Sequence, residues 1–212
     1  MTTPPPPAAA FGPPPSMQPQ RRTRRTAVVC ALALVLALLA AAGWWLLGDR
    51  DDAPLAGRPR VTDAAAGISY GIPEGWKQPE EQGKLINAFT STIGKTDKDT
   101  KTGATVLAGR AGTIPEAELK QRAERSARSN ATFFFPDGRS TIDESHPTTV
   151  SGRPAHTVTL KIDDGDGGTA HLRLTVMTLS DARSAFLLGV TQPNGPAERE
   201  EIATILASAK AA

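Results

Sequence analysis

The 212-residue chain has a single cysteine, Cys30, which lies inside a long apolar run. Because no cysteine follows that run, the C-terminal part of the chain cannot contain a disulfide, a thiolate metal site or a cysteine nucleophile. That part is about 150 residues long, near the common size of one domain and long enough to bury a core without covalent crosslinks.

The sequence lacks the H-E-x-x-H motif of metalloproteases. Its one G-x-S-x-G match, at residues 67–71, falls in an alternating segment that predicts a strand, whereas a nucleophile elbow needs a strand-to-helix turn. It has three histidines, His146, His156 and His171. The last two fall on neighbouring predicted strands, where with an acid they could bind zinc or belong to a catalytic triad. Since no tight cluster surrounds them, we interpret them as strand histidines. We expect no cofactor, and a hydrolase using His156 or His171 is the alternative function.

An excess of basic charge is absent from the C-terminal part. The chain has 24 basic and 22 acidic residues, and four of the basic ones precede Asp49, which leaves 20 and 22 after it. Those four are the arginines at positions 21, 22, 24 and 25. A nucleic-acid-binding domain needs a basic face on its folded part, so no nucleic-acid partner is expected.

Charge of either sign is absent from residues 27–47, a run of 21 residues with seven leucines and three valines. At about 1.5 Å per residue, a helix here would span about 32 Å, which matches the roughly 30 Å core of a bilayer. Trp44 and Trp45 near its end suit the headgroup boundary, and the four preceding arginines favour a cytoplasmic N-terminus. The sequence therefore predicts a single-pass transmembrane helix over residues 26–48, with the C-terminal part extracytoplasmic.

The alternative for this run is a cleaved signal peptide, because the alanines at positions 40–42 fit an A-x-A cleavage site. Hydrophobicity continues through Trp44 to Leu47 without a polar segment, which favours an uncleaved anchor. Cys30 lies at the wrong end of the run for a lipidated N-terminus.

Residues 1–25 precede the anchor as a predicted disordered cytoplasmic tail. Eight of the chain's 18 prolines lie within residues 1–20, a composition that favours extended polyproline II conformation and cannot form a core. We interpret the tail as a solvated leader. Its alternative role is a ligand for a proline-recognising partner, which would make the protein a scaffold acting through its tail.

After a polar linker at 49–60, residues 61–212 are predicted to form one α+β domain, an antiparallel sheet covered by helices. Alternation predicts strands at 67–72, 85–93, 104–111, 140–150, 155–162, 169–179 and 184–191. Trp76 is a predicted core residue, and residues 95–103 are a predicted polar loop. Thr113 and Glu116 fit a capping box for a helix reaching about residue 129, and Pro196 begins a second helix.

Two short segments invite a functional interpretation. Asp163-Asp164-Gly165-Asp166-Gly167 begins like a calcium loop, but predicted strands flank it, so a hairpin loop is favoured over a weak cation site. Phe133-Phe134-Phe135 is favoured as a buried strand, with a partner-binding or membrane-facing patch as the alternative.

Three stretches resemble a known family. Gly67-Ile68-Ser69-Tyr70-Gly71-Ile72-Pro73-Glu74-Gly75-Trp76 resembles the opening of actinobacterial PsbP-like domains, including the LpqN/LpqT lipoprotein group. Ser151-Gly152-Arg153-Pro154-Ala155 resembles their turn into a strand, and Ile205-Leu206-Ala207-Ser208-Ala209-Lys210 their closing helix.

The resemblance covers about residues 61–210 and implies a sandwich of helices around an antiparallel sheet, in a non-enzymatic binding or assembly module. This chain lacks the lipobox cysteine, so lipid attachment does not carry over, and the family supplies no catalytic residues to transfer. The sequence thus predicts a membrane-anchored extracytoplasmic module that binds a protein, cell-wall or lipid partner.

Overall fold

The computed structural model describes residues 54–79, 88–97 and 102–212, which contain nine strands and two α-helices. In chain order these are β1 (Arg60–Asp63), β2 (Ile68–Gly71), β3 (Ser91–Asp97), β4 (Thr102–Gly112), α1 (Leu119–Phe134), β5 (Arg139–Val150), β6 (Arg153–Asp163), β7 (Thr169–Ser180), β8 (Arg183–Gln192), α2 (Pro196–Ala207) and β9 (Lys210–Ala211). They belong to one compact unit that spans residues 51–212. No helix within the described ranges is both long and apolar enough to cross a membrane, and the predicted anchor at 27–47 lies outside them.

The larger sheet has six antiparallel strands in the order β3-β4-β8-β7-β6-β5. Strands β5 to β8 follow one another through short turns, as the alternation of their apolar residues predicts. Val158, Leu174 and Leu188 lie side by side across three of them and are buried on the same face. The predicted antiparallel α+β fold is confirmed.

The two helices cover different parts of opposite faces of this sheet. Helix α1 packs against β5, β6 and β7, and its alanines at positions 123, 127 and 131 are buried, so the helix can lie close to the strands. Helix α2 packs mainly against β4, β8 and the adjacent β7 through Ile202 and Ile205. Ile202 lies directly over Gly189, where a Cβ atom would overlap it. This stagger leaves the outer strands β5 and β6 without helix α2 above them.

A second sheet of three antiparallel strands, β2 between β1 and β9, carries the N-terminal strands onto this core. Asp63 at the end of β1 is buried, and its carboxylate accepts hydrogen bonds from the Ala66 amide at 2.8 Å and the Thr90 and Ser91 hydroxyls at 2.6 Å each. The Tyr70 hydroxyl lies 3.0 Å from that of Ser91. Because Ser91 begins β3, this network joins the two sheets.

Contacts with helix α2 complete the attachment of the small sheet. The Arg60 guanidinium donates to the Ser208 carbonyl at 2.9 Å, and the Gly71 amide donates to the Ser208 hydroxyl at 2.9 Å. Trp76 is buried as the sequence predicts, and its indole donates to Glu201 at 2.9 Å. Glu201 also pairs with Lys95 of β3 at 2.8 Å, so both sheets hold the helix in place.

The structure corrects the predicted bounds near β3 and β4. The predicted polar loop at 95–103 is wrong at both ends, because β3 continues to Asp97 and β4 begins at Thr102. Lys95 pairs with Ala104 in the ladder, and polar residues suit β3 because it is an edge strand. Of the strand predicted at 85–93, residues 85–87 lie outside the described ranges.

The predicted capping box is also wrong. The Thr113 hydroxyl donates to the carbonyl of Ala182, in the β7–β8 turn, at 2.9 Å. The chain enters α1 through a 3-10 turn at Glu116–Glu118, and no side chain caps the helix. The buried stripe continues to Ala131, so the helix extends to Phe134 instead of ending near residue 129. The closing helix ends at Ala207, because Lys210–Ala211 pairs with β2 as a strand.

We predict that Asp63→Ala lowers the free energy of unfolding by about 2–4 kcal/mol, because it leaves buried donors without an acceptor. Chemical denaturation of the full chain would measure the change. The matched control is Asp166→Ala, at an exposed loop position, where the change should stay within about 0.5 kcal/mol. Equal losses in both variants would contradict a special role for Asp63.

Candidate functional site: the groove beside helix α2

A polar groove runs along helix α2 on the side of the outer strands β5 and β6. On this side of the sheet, β6 and β7 present every second residue, and α2 lines the cleft with Ala203, Leu206 and Ala207. We call this surface the α2 groove and define it by Thr157, Thr159, Lys161, His171, Arg173, Thr175, Arg199 and Ala203. Towards the C-terminal end of α2 it forms a cleft of about 90 Å³, to which His146 and Ala207 also contribute.

Threonines form the floor of the groove. The Thr157 and Thr175 hydroxyls hydrogen-bond to each other at 2.9 Å across β6 and β7, and both residues are buried. Threonine suits this position because its branched side chain packs on a pleated sheet while its hydroxyl remains available for hydrogen bonding. Thr159, the next residue in this row, is equally buried, but its hydroxyl has no partner among the described residues.

His171 lies in the same face, opposite Lys161 on β6 and Thr191 on β8. Its side chain is 4% exposed, and its Nδ1 atom has no hydrogen-bond partner among the described residues. Burial, followed by the charges of Arg199, Arg173 and Lys161, lowers the pKa of His171 to about 4, against an opposing effect of Asp143. The imidazole is therefore neutral at pH 7.

Charged residues surround His171, and most of them are paired. Lys161 lies 2.6 Å from Asp143 of β5, and Arg173 lies 4.0 Å from Glu144. The Arg199 side chain makes no hydrogen bond or ion pair within residues 54–79, 88–97 and 102–212, and its Nε atom is buried. Arg199 is therefore the groove cation that has no carboxylate partner among the described residues.

His156, the other candidate histidine, faces the opposite side of the sheet, under helix α1. Its Nε2 atom lies 2.9 Å from the Ser145 hydroxyl, and that hydroxyl donates to Glu124 at 2.7 Å. Hydrogen bonding by Ser145 and then by Lys120 lowers the pKa of Glu124, so this carboxylate is ionised and can only accept. Since the single hydroxyl proton goes to Glu124, the His156 Nε2 atom must donate to Ser145.

That order differs from a catalytic triad, in which the histidine accepts the serine proton and donates to the acid. Burial lowers the pKa of His156, with Glu124 opposing the change. The structure therefore places His156 in a polar contact between helix and sheet, and it does not bring His156 and His171 together. His146 is exposed on β5 at the rim of the α2 groove.

The Asp163–Gly167 segment forms the hairpin loop favoured by the sequence. Asp164 accepts hydrogen bonds from the amides of Asp166 and Gly168 at 3.1 and 2.8 Å, and from the Gln192 side chain at 2.8 Å. The carboxylate oxygens are thus used within the loop. No group of three or more His, Cys, Asp or Glu residues in the described part of the chain is arranged to hold a metal ion.

The three phenylalanines after position 132 do not form the predicted buried strand. Phe133 and Phe134 end helix α1, where the helical twist exposes Phe133 to 56% and turns Phe134 towards Phe89 at a ring distance of 6.4 Å. Phe135 is buried below the helix end. The run is therefore divided between core and surface.

A larger pocket of about 370 Å³ lies at the end of the sheet near the start of α1. Arg153, Glu116 and Asp181 contribute charges of both signs to its wall, and all three are exposed. The α2 groove differs in having buried polar side chains on a rigid sheet. For this reason we regard the groove as the candidate site.

The sequence interpretation identified His171 but missed its companions. The sequence pattern that marks them is alternation. Thr157, Thr159 and Lys161 alternate with the apolar core residues of β6, and Arg173 and Thr175 alternate with those of β7. A pair of adjacent strands whose polar rows are buried indicates a surface with a role beyond solubility. Arg199 could not be included, since the face of α2 that meets the sheet depends on tertiary packing.

No family model matches the chain, and no curated protein matches it. Among solved structures, the chain is similar to the cyanobacterial PsbP protein CyanoP from Synechocystis sp. PCC 6803, with a TM-score of 0.51 and 15% identity over 73% of this chain and 92% of that one. It is similar to the Saccharomyces cerevisiae Ran-binding protein Mog1p, with a TM-score of 0.51 and 10% identity over 73% of this chain and 95% of that one.

LpqN from Mycobacterium tuberculosis also matches, with a TM-score of 0.49 and 12% identity over 73% of this chain and 84% of that one. At such identities the likeness shows the fold alone. The described domain is thus a mostly antiparallel sheet with two helices and has a PsbP-like fold. The predicted sandwich is confirmed at this level.

We predict that His171 makes stability depend on pH between about 4 and 6.5. In this window the unfolded histidine, with its ordinary pKa of 6.5, binds a proton that the folded one does not bind. The free energy of unfolding therefore falls as pH is lowered from 6.5 towards 4 and this contribution levels off below, a loss of about 3 kcal/mol in total.

Urea denaturation of wild type and His171→Gln across this range would test the effect. The variant should lose this component of the pH dependence, because glutamine does not titrate. His146→Gln, at an exposed position on β5, is the matched control and should keep the wild-type pH dependence. Parallel curves for wild type and His171→Gln would show that His171 is not the responsible group.

Proposed function

We propose that this chain is a membrane-anchored, extracytoplasmic, non-enzymatic binding or assembly module that recognises its partner through the α2 groove. The supporting observation is the groove itself, a rigid polar surface with buried hydroxyls and an arginine whose side chain has no partner within the described residues. Polar groups that are fixed by a sheet at the floor of a cleft are suited to orienting a ligand.

Binding is favoured over hydrolysis by the arrangement of the histidines. His156 donates to Ser145 and cannot take its proton, while His171 lies on the other face among three cations. A general base needs a pKa near the working pH and a nucleophile within reach. His171, with a pKa of about 4, fails the first condition, and His156 cannot take the proton of Ser145, so the polar residues are better suited to recognition.

The anchor and orientation rest on the uncharged run at 27–47 and the four arginines before it. The PsbP-like fold then lies outside the cytoplasmic membrane, and its partner is a protein, cell-wall or lipid component of the envelope. The similar yeast protein is named as a Ran-binding protein, which is compatible with a protein-binding role for this fold. The proline-rich tail at residues 1–20 would act as a leader.

We predict that protease added outside intact cells or spheroplasts removes a tag placed after residue 212 and leaves a tag placed before residue 1. This follows from the positive-inside rule. The measurement is immunoblotting for each tag before and after detergent lysis, which should expose both. N-terminal sequencing is the companion measurement, since a mature chain starting at Gly43 would contradict the uncleaved anchor.

We predict that a photo-crosslinking amino acid at Lys161 or Ala207, both exposed at the groove, gives a discrete adduct in native membranes. The same amino acid at Gln121 or Arg128, on the outer face of α1, serves as the matched control and should give none. Immunoblotting of the full-length chain reports the adducts. Deletion of residues 2–20 should leave them unchanged if the tail is only a leader.

Adducts of equal yield from both faces, or from α1 alone, would exclude the groove as the recognition surface. Loss of every groove adduct on deletion of residues 2–20 would instead favour the scaffold acting through its tail.

A further inference from the structure

Unpartnered polar atoms are concentrated at one end of the α2 groove. Six buried side-chain nitrogen or oxygen atoms in the described part of the chain have no hydrogen-bond partner. Four of these belong to residues around the N-terminal half of α2, namely Thr159, His171, Asn194 and Arg199. Native proteins leave few buried polar groups unsatisfied, so a concentration of them needs a physical explanation.

The strand register shows that the two sheet residues share one site. Thr159 lies opposite Arg173, and Lys161 lies opposite His171, so Thr159 and His171 are diagonal neighbours on one face of β6 and β7. Such neighbours lie about 7–8 Å apart at most, within reach of one small group. Both side chains are more than nine-tenths buried, with exposures of 3% and 4%.

Helix α2 and the segment before it close the site from above. Arg199 lies in the first turn of the helix, and its charge acts on His171 more strongly than that of any other residue. The Asn194 amide donates to the Thr169 carbonyl at 2.9 Å, two residues before His171 on β7. This bond holds the segment before α2 beside the end of β7 that carries His171.

The charge of the site indicates what it would bind. Its cations are Lys161, Arg173 and Arg199, and among the described residues carboxylates pair with only the first two. The guanidinium, the hydroxyl and an imidazole N–H can all donate, and donors beside an arginine without a carboxylate partner are the recognition chemistry of oxyanions. The Asn194 Oδ1 atom, the fourth unpartnered atom, can only accept.

We propose that the α2 groove contains an oxyanion-binding site, in which Arg199, His171 and Thr159 hold a phosphate, sulfate or carboxylate group of the ligand. This deepens the proposed function, on which it rests for the role of the groove. The Arg199 guanidinium supplies the charge, the Thr159 hydroxyl donates one hydrogen bond, and His171 donates another. The group is carried by a free envelope molecule or by an anionic lipid headgroup.

Binding should also depend on pH. The groups that face His171 are Asp143 of β5, Lys161 of β6, Arg173 of β7 and Arg199 of α2. A bound dianion opposes the effect of these cations and raises the pKa of His171. Protonation of His171 and binding of the anion therefore favour each other. Affinity is therefore higher at about pH 5.5 than at about pH 7.5. Sulfate is the suitable probe because its own charge is constant over this range.

The experiment is a sulfate titration of the full-length chain in micelles of an uncharged detergent, with sodium chloride at matched ionic strength as the reference. The chain has three histidines, so labelled imidazole nitrogens can be followed individually by NMR. Sulfate should shift the His171 signals with saturation and leave those of His146 and His156 unchanged. Thermal unfolding provides a second readout and should move to higher temperature.

Arg199→Gln should weaken the sulfate affinity at least about ten-fold, because it removes a charged hydrogen bond. Thr159→Val keeps the side-chain shape and should weaken it by a smaller factor. Arg128→Gln, on the exposed face of α1, is the matched control and should leave the affinity unchanged. If His171→Gln proves too unstable, Arg199→Gln still decides the question, since the Arg199 side chain makes no hydrogen bond or ion pair with another described residue.

Vesicles of phosphatidylglycerol, compared with vesicles of phosphatidylcholine, distinguish the two sources of the anion. Competition between the anionic vesicles and sulfate would identify a lipid headgroup, and saturable sulfate binding without competition would identify a free ligand. Absence of a saturable His171 shift, equal shifts at all three histidines, or unchanged affinity in Arg199→Gln would overturn the site. Groove crosslinking in membranes does not use sulfate, so failure here leaves that test of the proposed function independent.

Discussion

The buried carboxylate of Asp63 is the interaction on which the arrangement of the domain depends. It joins the end of β1 to the start of β3, because it accepts hydrogen bonds from the hydroxyls of Thr90, just before β3, and Ser91, the first residue of β3, each at 2.6 Å. The small sheet that it holds then fixes the end of α2 through Arg60 and Ser208. Since α2 forms one wall of the groove, the candidate site depends on a contact that lies outside it.

The stagger of the two helices follows from side-chain size. Helix α1 presents alanines to the sheet and lies close over β5 to β7, while α2 presents isoleucines and meets the sheet at Gly189 of β8, where there is room for Ile202. Neither helix is broad enough to cover a six-stranded sheet. The strands beside α2 carry threonine and charged residues on this face, and this part of the sheet forms the floor of the groove.

Sequence alone could predict the strands β5 to β8 because each obeys a strict alternation that is local in the chain. It failed where a distant partner decides the outcome. Thr113 has the composition of a helix cap but donates to Ala182, and the chain end forms a strand because β2 offers it an open edge. His171 was visible as a candidate, whereas Arg199 joins it only when α2 is placed on the sheet.

The electrostatics of His171 favour recognition over catalysis. A histidine whose pKa lies near 4 is neutral at pH 7, but it is too weak a base to take a proton efficiently in that range. Burial is the main cause of this low pKa, and the nearby cations Arg199, Arg173 and Lys161 add to it and also attract an anion. Once an anion neutralises them, the imidazole can be protonated and donate to the bound group. The surroundings of His171 thus account for its poor fit to hydrolysis and support the proposed oxyanion site.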